Sequence, residues 1–274
     1  MTDARDWTGR VGANWAREWA RTDRSFAGLT HKLVERLAGH AASDVLDIGC
    51  GAGELSLRVG AILPGSRIMG IDLSGDLILE ADARRNEGSN CRFAVADASQ
   101  WRDVAFVPDL LMSRHGVMFF DDPIAAFTNL AQASAPDARL VFSCFRDRLL
   151  NSWATEIAAL LPEAPLADPR TPGPFAFADQ NYVATILEAA GWTDITYDPI
   201  DWDFIAGAGD DAIADAVDFF TRIGPAAPVI AALEGSARDE FVGQLQTIAL
   251  RHHSNDVVSF PAAARIVSVR RRGV

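Results

Sequence analysis

Basic residues are scarce in this 274-residue sequence, and lysine is almost absent from it. The chain carries 37 Asp and Glu against 25 Lys and Arg, a formal net charge of −12, and Lys32 is the one lysine. A surface with this excess of acid repels polyanions at long range. The composition therefore argues against a nucleic acid as substrate or partner.

Cysteine is also rare, and long apolar runs are missing. The three cysteines, Cys50, Cys91 and Cys144, lie on or beside predicted buried strands at no metal-ligand spacing. No run of about 18 apolar residues occurs, and the charged start MTDARDWTGR has no apolar core of a secretion signal. We expect no metal site and no membrane span, and we expect a cytoplasmic protein.

What the sequence does contain is an alternation of strand and helix patterns. Hydrophobic residues make up 49% of the chain, enough for a large core. Strands are predicted at 44–48, 67–72, 91–95, 109–114, 139–145, 194–205 and 264–271, and helices between the first five at 53–63, 74–86 and 122–135. Repeated strand-helix-strand units with right-handed crossovers predict a doubly wound α/β fold.

The segments around this core are predicted to form a cap and a lid. Apolar residues recur at helical spacing from Trp7 to Leu37, and a Pro-rich stretch after residue 160 excludes regular structure there. A helix at 180–190 ends through Gly191, and two helical patterns, 210–223 and 228–250, separate the last two strands. We expect one domain, 1–274, divided into an N-terminal helical cap (1–40), a cofactor-binding core (41–146), a Pro-rich loop with a helix and the sixth strand (147–206), a helical lid insertion (207–258) and the last strand (259–274).

The segment VLDIGCGAGELSL predicts a tight turn from a strand into a helix beneath a ligand. Three alternating glycines, Gly49, Gly51 and Gly53, allow turn dihedrals and close approach of a ligand to the backbone. A dinucleotide fingerprint would have its third glycine where this chain has Glu54. That carboxylate and Asp47 would repel a pyrophosphate, so the motif favours a cationic ligand.

This motif resembles the first motif of the class I S-adenosylmethionine-dependent methyltransferases, whose donor carries a sulfonium and an ammonium group. The resemblance continues in order through RIMGIDLS, CRFAVADASQW, DLLMSRHGVMFFDDP and ARLVFSCF, from about Asp44 to Phe145. It implies a Rossmann-like sheet of seven mostly parallel strands with helical lid insertions, and S-adenosyl-L-methionine as cofactor. The stretch SRHGVMFFDDPIAAF is similar to the ubiquinone/menaquinone-biosynthesis branch of small-molecule methyltransferases. APDARL departs from the usual glycine pair, and Asp137 is expected to adopt a left-handed conformation there.

The resemblance also implies a cofactor site. Asp72 would take both ribose hydroxyls, Asp97 the adenine amino group, and Ala98 would supply a backbone contact. Trp19 either packs over the sulfonium by cation–π attraction or belongs to the packed face of its helix, and Arg114 either shapes the methionine end or pairs with an acid. The predicted set is Asp47, Gly49, Cys50, Gly51, Asp72, Leu73, Asp97, Ala98, Arg114 and Trp19.

Two histidines and a group of aromatic residues are candidates for the acceptor side. His115 follows the fourth strand, at the edge where ligands of such sheets bind, and is either a base, an orienting donor or a histidine buried under the next helix. His31, in the N-terminal helix, is the second catalytic candidate. The predicted acceptor wall consists of Phe119, Phe120, Asn151, Trp153, Phe175 and Phe177, which favours an aromatic or lipophilic small molecule.

We therefore expect methyl transfer from S-adenosylmethionine to an O, N or C nucleophile of a small molecule by in-line displacement. Two alternatives stay open. An NAD-dependent oxidoreductase would share the sheet and the acid after the second strand. A cofactor-binding homologue could have lost methyl transfer, or could use the sulfonium for another reaction. The acceptor, the attacked atom and the oligomeric state, a homodimer included, are not determined by the sequence.

Overall fold

A computed structural model describes residues 7–161 and 168–273 of the chain. The first six residues of the predicted cap, residues 162–167 of the Pro-rich segment and residue 274 of the last predicted segment lie outside the described residues. None of the helices in the described ranges is long and apolar enough to cross a membrane. The same ranges contain no cluster of three or more His, Cys, Asp or Glu side chains that could hold a metal ion.

A single mixed sheet forms the centre of the fold. Its strands are β1 (Asp44–Ile48), β2 (Arg67–Asp72), β3 (Cys91–Val95), β4 (Leu110–Arg114), β5 (Arg139–Phe145), β6 (Trp192–Ala208), β7 (His253–Ser254) and β8 (Val257–Arg271). Their order is β3-β2-β1-β4-β5-β8-β6, and β7 pairs with β8 outside this path. The strands β1 to β5 are parallel, whereas β8 runs antiparallel to β5 and β6. The predicted doubly wound, mostly parallel α/β fold is confirmed, and the two-residue β7 is an addition to the seven expected strands.

Helices cover the sheet and extend beyond it. They are α1 (Arg10–Arg17), α2 (Trp19–Ser25), α3 (Ala27–Ala38), α4 (Glu54–Ile62), α5 (Gly75–Ala83), α6 (Pro123–Ala133), α7 (Ser152–Ala158), α8 (Gln180–Ala189), α9 (Ala212–Arg222), α10 (Ala226–Ala232) and α11 (Gly235–Arg251). Every residue of β1 is buried, as expected for a parallel strand with helices on both faces. The strand order changes direction between β1 and β4, and ligands of open α/β sheets bind at that point of the carboxyl edge.

From Arg10 to Ala38 the chain forms three helices and not the single helix that its periodicity predicts. The chain leaves helical geometry at Glu18 and again at Phe26. The Glu18 carboxylate pairs with Arg21 and Arg222, and the Phe26 ring packs against Phe204 with centroids 5.6 Å apart. Both breaks therefore accompany contacts with distant parts of the chain.

Three further segments differ from the sequence prediction. The strands β6 and β8 are longer than expected, because they pair with each other from Trp192–Arg271 to Ala208–Val257. The predicted helix 228–250 is divided into α10 and α11 before Gly235, which has a φ of 52°. The helix α7 was not predicted.

Two local predictions of backbone geometry are confirmed. Asp137 has a φ of 62°, in the left-handed region that Asp tolerates better than most residues. Gly191 has a φ of 87° and follows the end of α8, as a helix-terminating glycine does.

Candidate functional site

The glycine loop between β1 and α4 lies at the carboxyl edge of the sheet. Gly49, Gly51 and Gly53 have φ values of 63°, 55° and 83°, which side chains rarely allow. A Cβ on Gly53 would stand 2.8 Å from the Phe93 ring, whereas a Cβ on Gly51 would meet nothing within 4 Å. A ligand can therefore approach the backbone at Gly51.

The loop after β4 lies against the glycine loop. A Cβ on Gly49 would stand 3.0 Å from the Gly116 Cα, and a Cβ on Gly116 would stand 2.6 Å from the Ile48 carbonyl oxygen. Ser113 reinforces the contact, because its hydroxyl donates to the same Ile48 oxygen at 2.7 Å. His115, the residue before Gly116, is thereby held next to the glycine loop.

Asp72 ends β2 and is oriented by the backbone. Its Oδ2 accepts the N–H of Gly51 at 2.9 Å, and its Oδ1 accepts the N–H of Ser74 at 2.9 Å. Burial raises the pKa of Asp72, and its hydrogen bonds with the backbone of Ser74, Gly51 and Leu73 oppose that shift. Each oxygen retains acceptor capacity, which suits a pair of neighbouring hydroxyl groups. Leu73, the next residue, is half-buried.

Asp47 lies inside β1 with only 1% of its surface exposed. Its Oδ2 accepts from the Ser56 hydroxyl at 2.6 Å, while its Oδ1 has no partner in the described residues. Burial raises the pKa of Asp47 to about 7, Ser56 and Arg114 lower it, and Asp72 adds to the rise. A buried carboxylate with a free oxygen suits a cationic group, because a cation favours the ionised form.

The remaining predicted residues of this edge follow β1 and β3. Asp97 is exposed and caps its own turn, with its Oδ1 accepting the Ser99 N–H at 2.8 Å. Ala98 is buried, and its carbonyl accepts from Asn129 at 2.9 Å. The buried Cys50 donates its N–H to Ile71 at 3.0 Å. Since β1, β2 and β3 are parallel neighbours, the three aspartates follow or end adjacent strands at one edge of the sheet.

Arg114 and Trp19 are both engaged by other side chains. The Arg114 guanidinium donates to Thr30 at 2.8 Å and to Asp23 at 3.1 Å. The guanidinium of Arg84 stands 3.9 Å from the centroid of the Trp19 ring and donates to the other oxygen of Asp23 at 2.7 Å. Asp23 therefore ties α2 to the end of α5 and to β4. Arg84 therefore covers one face of the Trp19 ring, and the contact of Trp19 with a sulfonium stays a prediction.

The same network balances the charge of Glu54. Its carboxylate pairs with Arg84 at 3.0 Å and with Arg58 in the next helical turn. The sequence argument that Glu54 would repel a pyrophosphate is weaker than expected, because two guanidinium groups offset that charge. The case against a dinucleotide depends more on Asp47, which has no ion pair among the described residues.

Helix α1 packs over the start of α5, beside Asp72. A Cβ on Gly12 would stand 2.3 Å from the Ser74 Oγ, so the two helices touch where only a glycine fits. The N-terminal cap consequently covers the part of the edge that carries Asp72. Asp72 is half-buried, and its hydrogen-bond partners among the described residues are backbone N–H groups.

His115 is a buried histidine with one unused nitrogen. Its Nδ1 lies 2.9 Å from the Ser143 Oγ, whereas its Nε2 has no partner in the described part of the chain. Its φ of 60° is rare for a residue with a side chain. Burial lowers the pKa of His115 to about 3, with the Ser143 backbone opposing and Arg114 adding to the shift.

The His115 ring lies against a group of aromatic side chains that we call the ring cluster. Phe145 stands 4.1 Å from His115 between centroids, and Phe26 stands 5.4 Å away. Trp153 packs on Phe145 at 5.5 Å, and its indole N–H is buried without a partner in the described residues. The ring cluster comprises Phe26, Phe145, Trp153, Phe175, Trp202 and Phe204.

The predicted acceptor wall is divided by the sheet. Trp153 and Phe175 belong to the ring cluster. Phe120 and Phe177 instead pack on Phe127, at 5.5 and 6.2 Å between centroids. Phe177 also contacts Phe142, whose side chain points to the opposite face of β5 from those of Ser143 and Phe145. Neither Phe120 nor Phe177 is brought to the ring cluster.

Three other predicted residues lie elsewhere. Phe119 packs on Trp7 at 5.2 Å. Both ends of the Asn151 carboxamide are engaged, because it donates to the carbonyls of Asp147 and Ala263 and accepts the Ala263 N–H at 2.9 Å. Asn151 therefore fixes the start of α7 to β8. The side chain of His31 is 64% exposed and pairs with the exposed Glu35, so the structure does not bring it to the edge of the sheet.

Several residues of the site were missed by sequence reasoning. Ser143 is a polar residue inside the apolar run ARLVFSCF, and that interruption was a usable signal. Trp202 and Phe26 come from distant segments and meet at 6.2 Å. Asp23 is one acid among many in the sequence, and nothing in its local pattern indicates a bridge between two arginines.

Comparison with known proteins identifies the family. Residues 18–197 match the model of a family described as a methyltransferase domain. Trans-aconitate 2-methyltransferase from Paracidovorax citrulli is 30% identical over 135 residues, which cover 48% of this chain and 51% of that protein. A malonyl-[acyl-carrier protein] O-methyltransferase from Hahella chejuensis is 32% identical over 128 residues, 45% of this chain and 46% of that protein. The chain thus spans about half the length of these curated relatives.

A solved structure agrees in fold. Phosphoethanolamine N-methyltransferase 2 from Haemonchus contortus, in complex with S-adenosyl-L-methionine, matches with a TM-score of 0.57 at 15% identity, covering 99% of this chain and 60% of that one. The family model spans well over half of the chain and confirms the family recognised in the sequence, whose methyl donor is S-adenosylmethionine. This chain belongs to the methyltransferase domain family.

Proposed function

We propose that this protein transfers a methyl group from S-adenosylmethionine to a small molecule. The observation that carries the proposal is the Asp47 carboxylate, buried with a free Oδ1 beside a glycine loop whose backbone is open at Gly51. Such a site favours a cationic ligand and disfavours a pyrophosphate. The curated relatives, both named as methyltransferases, support the same activity.

The donor supplies a methyl group on a positively charged sulfur. The chain's own residues hold and orient it: Asp72 accepts the ribose hydroxyls, Asp47 balances the positive charge of the methionine end, and Gly51 permits close backbone approach. Asp97 would receive the amino group of the adenine. The proposed donor contacts are Asp47, Gly49, Cys50, Gly51, Asp72, Leu73, Asp97 and Ala98.

The N-terminal cap and the insertion between β6 and β8 form the roof of this site. Helix α2 joins them, because Arg21 and Arg24 pair with Asp215 of α9 at 2.9 and 2.8 Å. A roof that excludes water favours displacement at a charged sulfur. The 1–40 cap and the 207–258 insertion thus act as a lid on the core.

The composition supports a cytoplasmic location and a small acceptor. The three cysteines are free and buried, which suits the reducing cytoplasm. The net charge of −12 favours a small acceptor over a nucleic acid.

A thermal-shift titration tests the proposed function. S-adenosylmethionine or S-adenosylhomocysteine at 100 times its Kd should raise the free energy of unfolding by about 2.7 kcal/mol, a Tm increase of roughly 5 to 10 °C. NAD⁺ at the same concentration is the control. Protection by NAD⁺ alone, or by none of the three, contradicts the proposal. Saturable binding of the methyl donor with no methylated product across a broad acceptor panel would favour a cofactor-binding homologue.

A further inference from the structure

We infer that the acceptor is an uncharged aromatic compound whose ring hydroxyl donates to His115 Nε2, while the indole N–H of Trp153 donates to a second oxygen of the same molecule. This inference rests on the proposed function, since it names the acceptor class of the same site. It is carried by two buried polar atoms that no described residue satisfies and by the ring cluster on which both side chains pack.

Unpartnered buried polar atoms need an explanation. Each costs about 1 to 3 kcal/mol relative to a satisfied one, and most buried polar groups in proteins have a partner. His115 and Trp153 are each 8% exposed, and both pack against the ring of Phe145. Two such atoms beside one ring are explained together by one ligand with two polar groups.

His115 Nε2 and the indole nitrogen of Trp153 differ in their hydrogen-bonding roles. The Nδ1 of His115 lies 2.9 Å from the Ser143 hydroxyl oxygen, and the inference places the ring hydrogen on Nδ1, which donates to that oxygen. Nε2 then presents a lone pair and accepts, whereas the indole nitrogen of Trp153 only donates.

His115 is also in the right place to receive a reacting group. Its neighbour Gly116 touches Gly49 in the glycine loop, and its own ring touches Phe145 in the ring cluster. The imidazole therefore lies between the proposed donor site and the ring cluster. Its φ of 60° is a conformation that persists only when the surroundings enforce it and that occurs often at functional sites.

The charges around the ring cluster favour an uncharged acceptor. Arg114 approaches Phe26 to 5.5 Å from the ring centroid, but its guanidinium is already bonded to Asp23 and Thr30. Arg148 lies on the exposed side, 4.8 Å from Phe175. A carboxylate placed at His115 would face a neutral imidazole without a free cation among the described neighbours, so burying it would be costly.

The methyl transfer conserves atoms, electrons and charge with the methyl donor, the acceptor hydroxyl and His115. The hydroxyl oxygen forms a bond to the methyl carbon as the sulfur–carbon bond breaks, and the sulfur keeps that electron pair. The hydroxyl proton, which becomes strongly acidic as the oxygen–carbon bond forms, passes to His115 Nε2. The positive charge moves from sulfur to imidazolium, so the net charge of the site is unchanged, and the proton then leaves to solvent.

Two tryptophans of the ring cluster provide a matched test in the full chain. The Trp202 indole donates to the Ser25 carbonyl at 3.0 Å, whereas that of Trp153 has no described partner. Both variants lose the same indole volume, but only W202F also loses a hydrogen bond, so its Tm should lie roughly 2 to 4 °C below that of W153F. An equal fall in both variants would mean that Trp153 has a structural partner, and would overturn the inference.

Acceptor binding is measured with the protein saturated with S-adenosylhomocysteine. The probes are 7-hydroxy-4-methylcoumarin and 1-naphthol, with 7-methoxy-4-methylcoumarin as the control that lacks the hydroxyl hydrogen and trans-aconitate as the charged control. The coumarin phenol should bind at least about 10-fold more tightly than its methyl ether. W153F and H115N should each weaken coumarin-phenol binding about 10-fold, with the Kd of S-adenosylhomocysteine within about 3-fold of the wild type.

The outcomes separate the two proposals. Binding of S-adenosylhomocysteine without binding of either phenol, or with tighter binding of trans-aconitate, overturns the acceptor class and leaves the proposed function standing. Absence of S-adenosylhomocysteine binding to the wild type contradicts the proposed function itself. Asn is chosen at position 115 because it tolerates a positive φ better than most residues that have a side chain.

Discussion

Gly116 and Gly49 are in direct contact, and a Cβ on Gly49 would stand 3.0 Å from the Gly116 Cα. The contact joins the loop after β1 to the loop after β4. The first of these is the proposed donor loop, and the second carries His115. The geometry of the donor loop and the position of the imidazole are therefore not independent.

Gly116→Ala should disturb both loops at once. The new Cβ would lie 2.6 Å from the Ile48 carbonyl, and such overpacking costs about 1 to 3 kcal/mol of the free energy of unfolding. Chemical denaturation should show this loss, and calorimetry should show at least about 10-fold weaker binding of S-adenosylhomocysteine. Gly243→Ala is the control, because a Cβ there meets nothing within 4 Å and alanine favours the interior of α11. Equal behaviour of the two variants would remove the role given to the Gly49–Gly116 contact.

Asp47 should make the free protein less stable as pH rises. Its pKa is about 7 in the folded chain against an ordinary 3.8, so the folded state binds the proton more tightly than the unfolded state. The stabilisation is complete below pH 3.8 and is lost as pH rises through 7, by up to roughly 4 kcal/mol. Urea denaturation at pH 5 and pH 8 measures this loss.

The variant Asp47→Asn isolates this effect, because its amide oxygen can still accept from Ser56 while it has no proton to lose. The variant should lose less stability between pH 5 and pH 8 than the wild type. The raised pKa of Asp72 leaves a residual slope of the same sign. If the wild type and the variant show the same pH dependence, Asp47 is ionised throughout and the assigned direction is wrong.

Asp23 should hold the N-terminal cap closed. Replacing it with Asn removes a carboxylate shared by Arg84 and Arg114 and should cost about 1 to 3 kcal/mol, because two half-buried guanidinium groups lose a charged partner and keep Glu54 and Thr30. Limited proteolysis with trypsin should cut the arginine-rich cap faster. The control Asp82→Asn breaks only a surface pair with Arg85, worth about 0 to 1 kcal/mol. Unchanged cap cleavage in Asp23→Asn would contradict this prediction.

Asn151 should matter for stability and not for the acceptor. Asn151→Ala leaves the buried N–H of Ala263 unpaired, whereas the Ala263 carbonyl keeps the N–H of Arg146, and should lower the free energy of unfolding by about 1 to 3 kcal/mol. Asn181→Ala, at an exposed position of α8, should change it by less than about 0.5 kcal/mol. Binding of S-adenosylhomocysteine should remain in both variants below their unfolding temperatures. An Asn151→Ala variant that is as stable as the wild type but no longer binds the acceptor would contradict this prediction and support the assignment of Asn151 to the acceptor wall.

The sequence predicts what is encoded locally. The glycines of the loop and the acid that ends β2 stand next to the strands that place them, so their positions at the carboxyl edge follow from strand order. The left-handed Asp137 and the terminating Gly191 are likewise properties of a few consecutive residues. Strand alternation was sufficient to predict the parallel core.

The rest depends on distant contacts that no local pattern records. Phe175 and Phe177 are two residues apart, yet the first joins the ring cluster and the second packs behind β5. The break of the N-terminal helix at Phe26 accompanies its packing on Phe204. Trp19 was expected to face the donor. The guanidinium of Arg84, a residue 65 positions away in the sequence, packs on its ring, and no local pattern predicts that contact.

The most direct test of the account is the affinity of S-adenosylhomocysteine for Asp72→Asn, measured by titration calorimetry beside the exposed control Asp76→Asn. Asn would turn an N–H toward a backbone donor at Gly51 or Ser74 and would remove the charge that receives the ribose hydroxyls. The account predicts at least a 30-fold weaker Kd for Asp72→Asn, about 2 kcal/mol, and a wild-type Kd for Asp76→Asn. A wild-type Kd in both variants would contradict the proposed donor site.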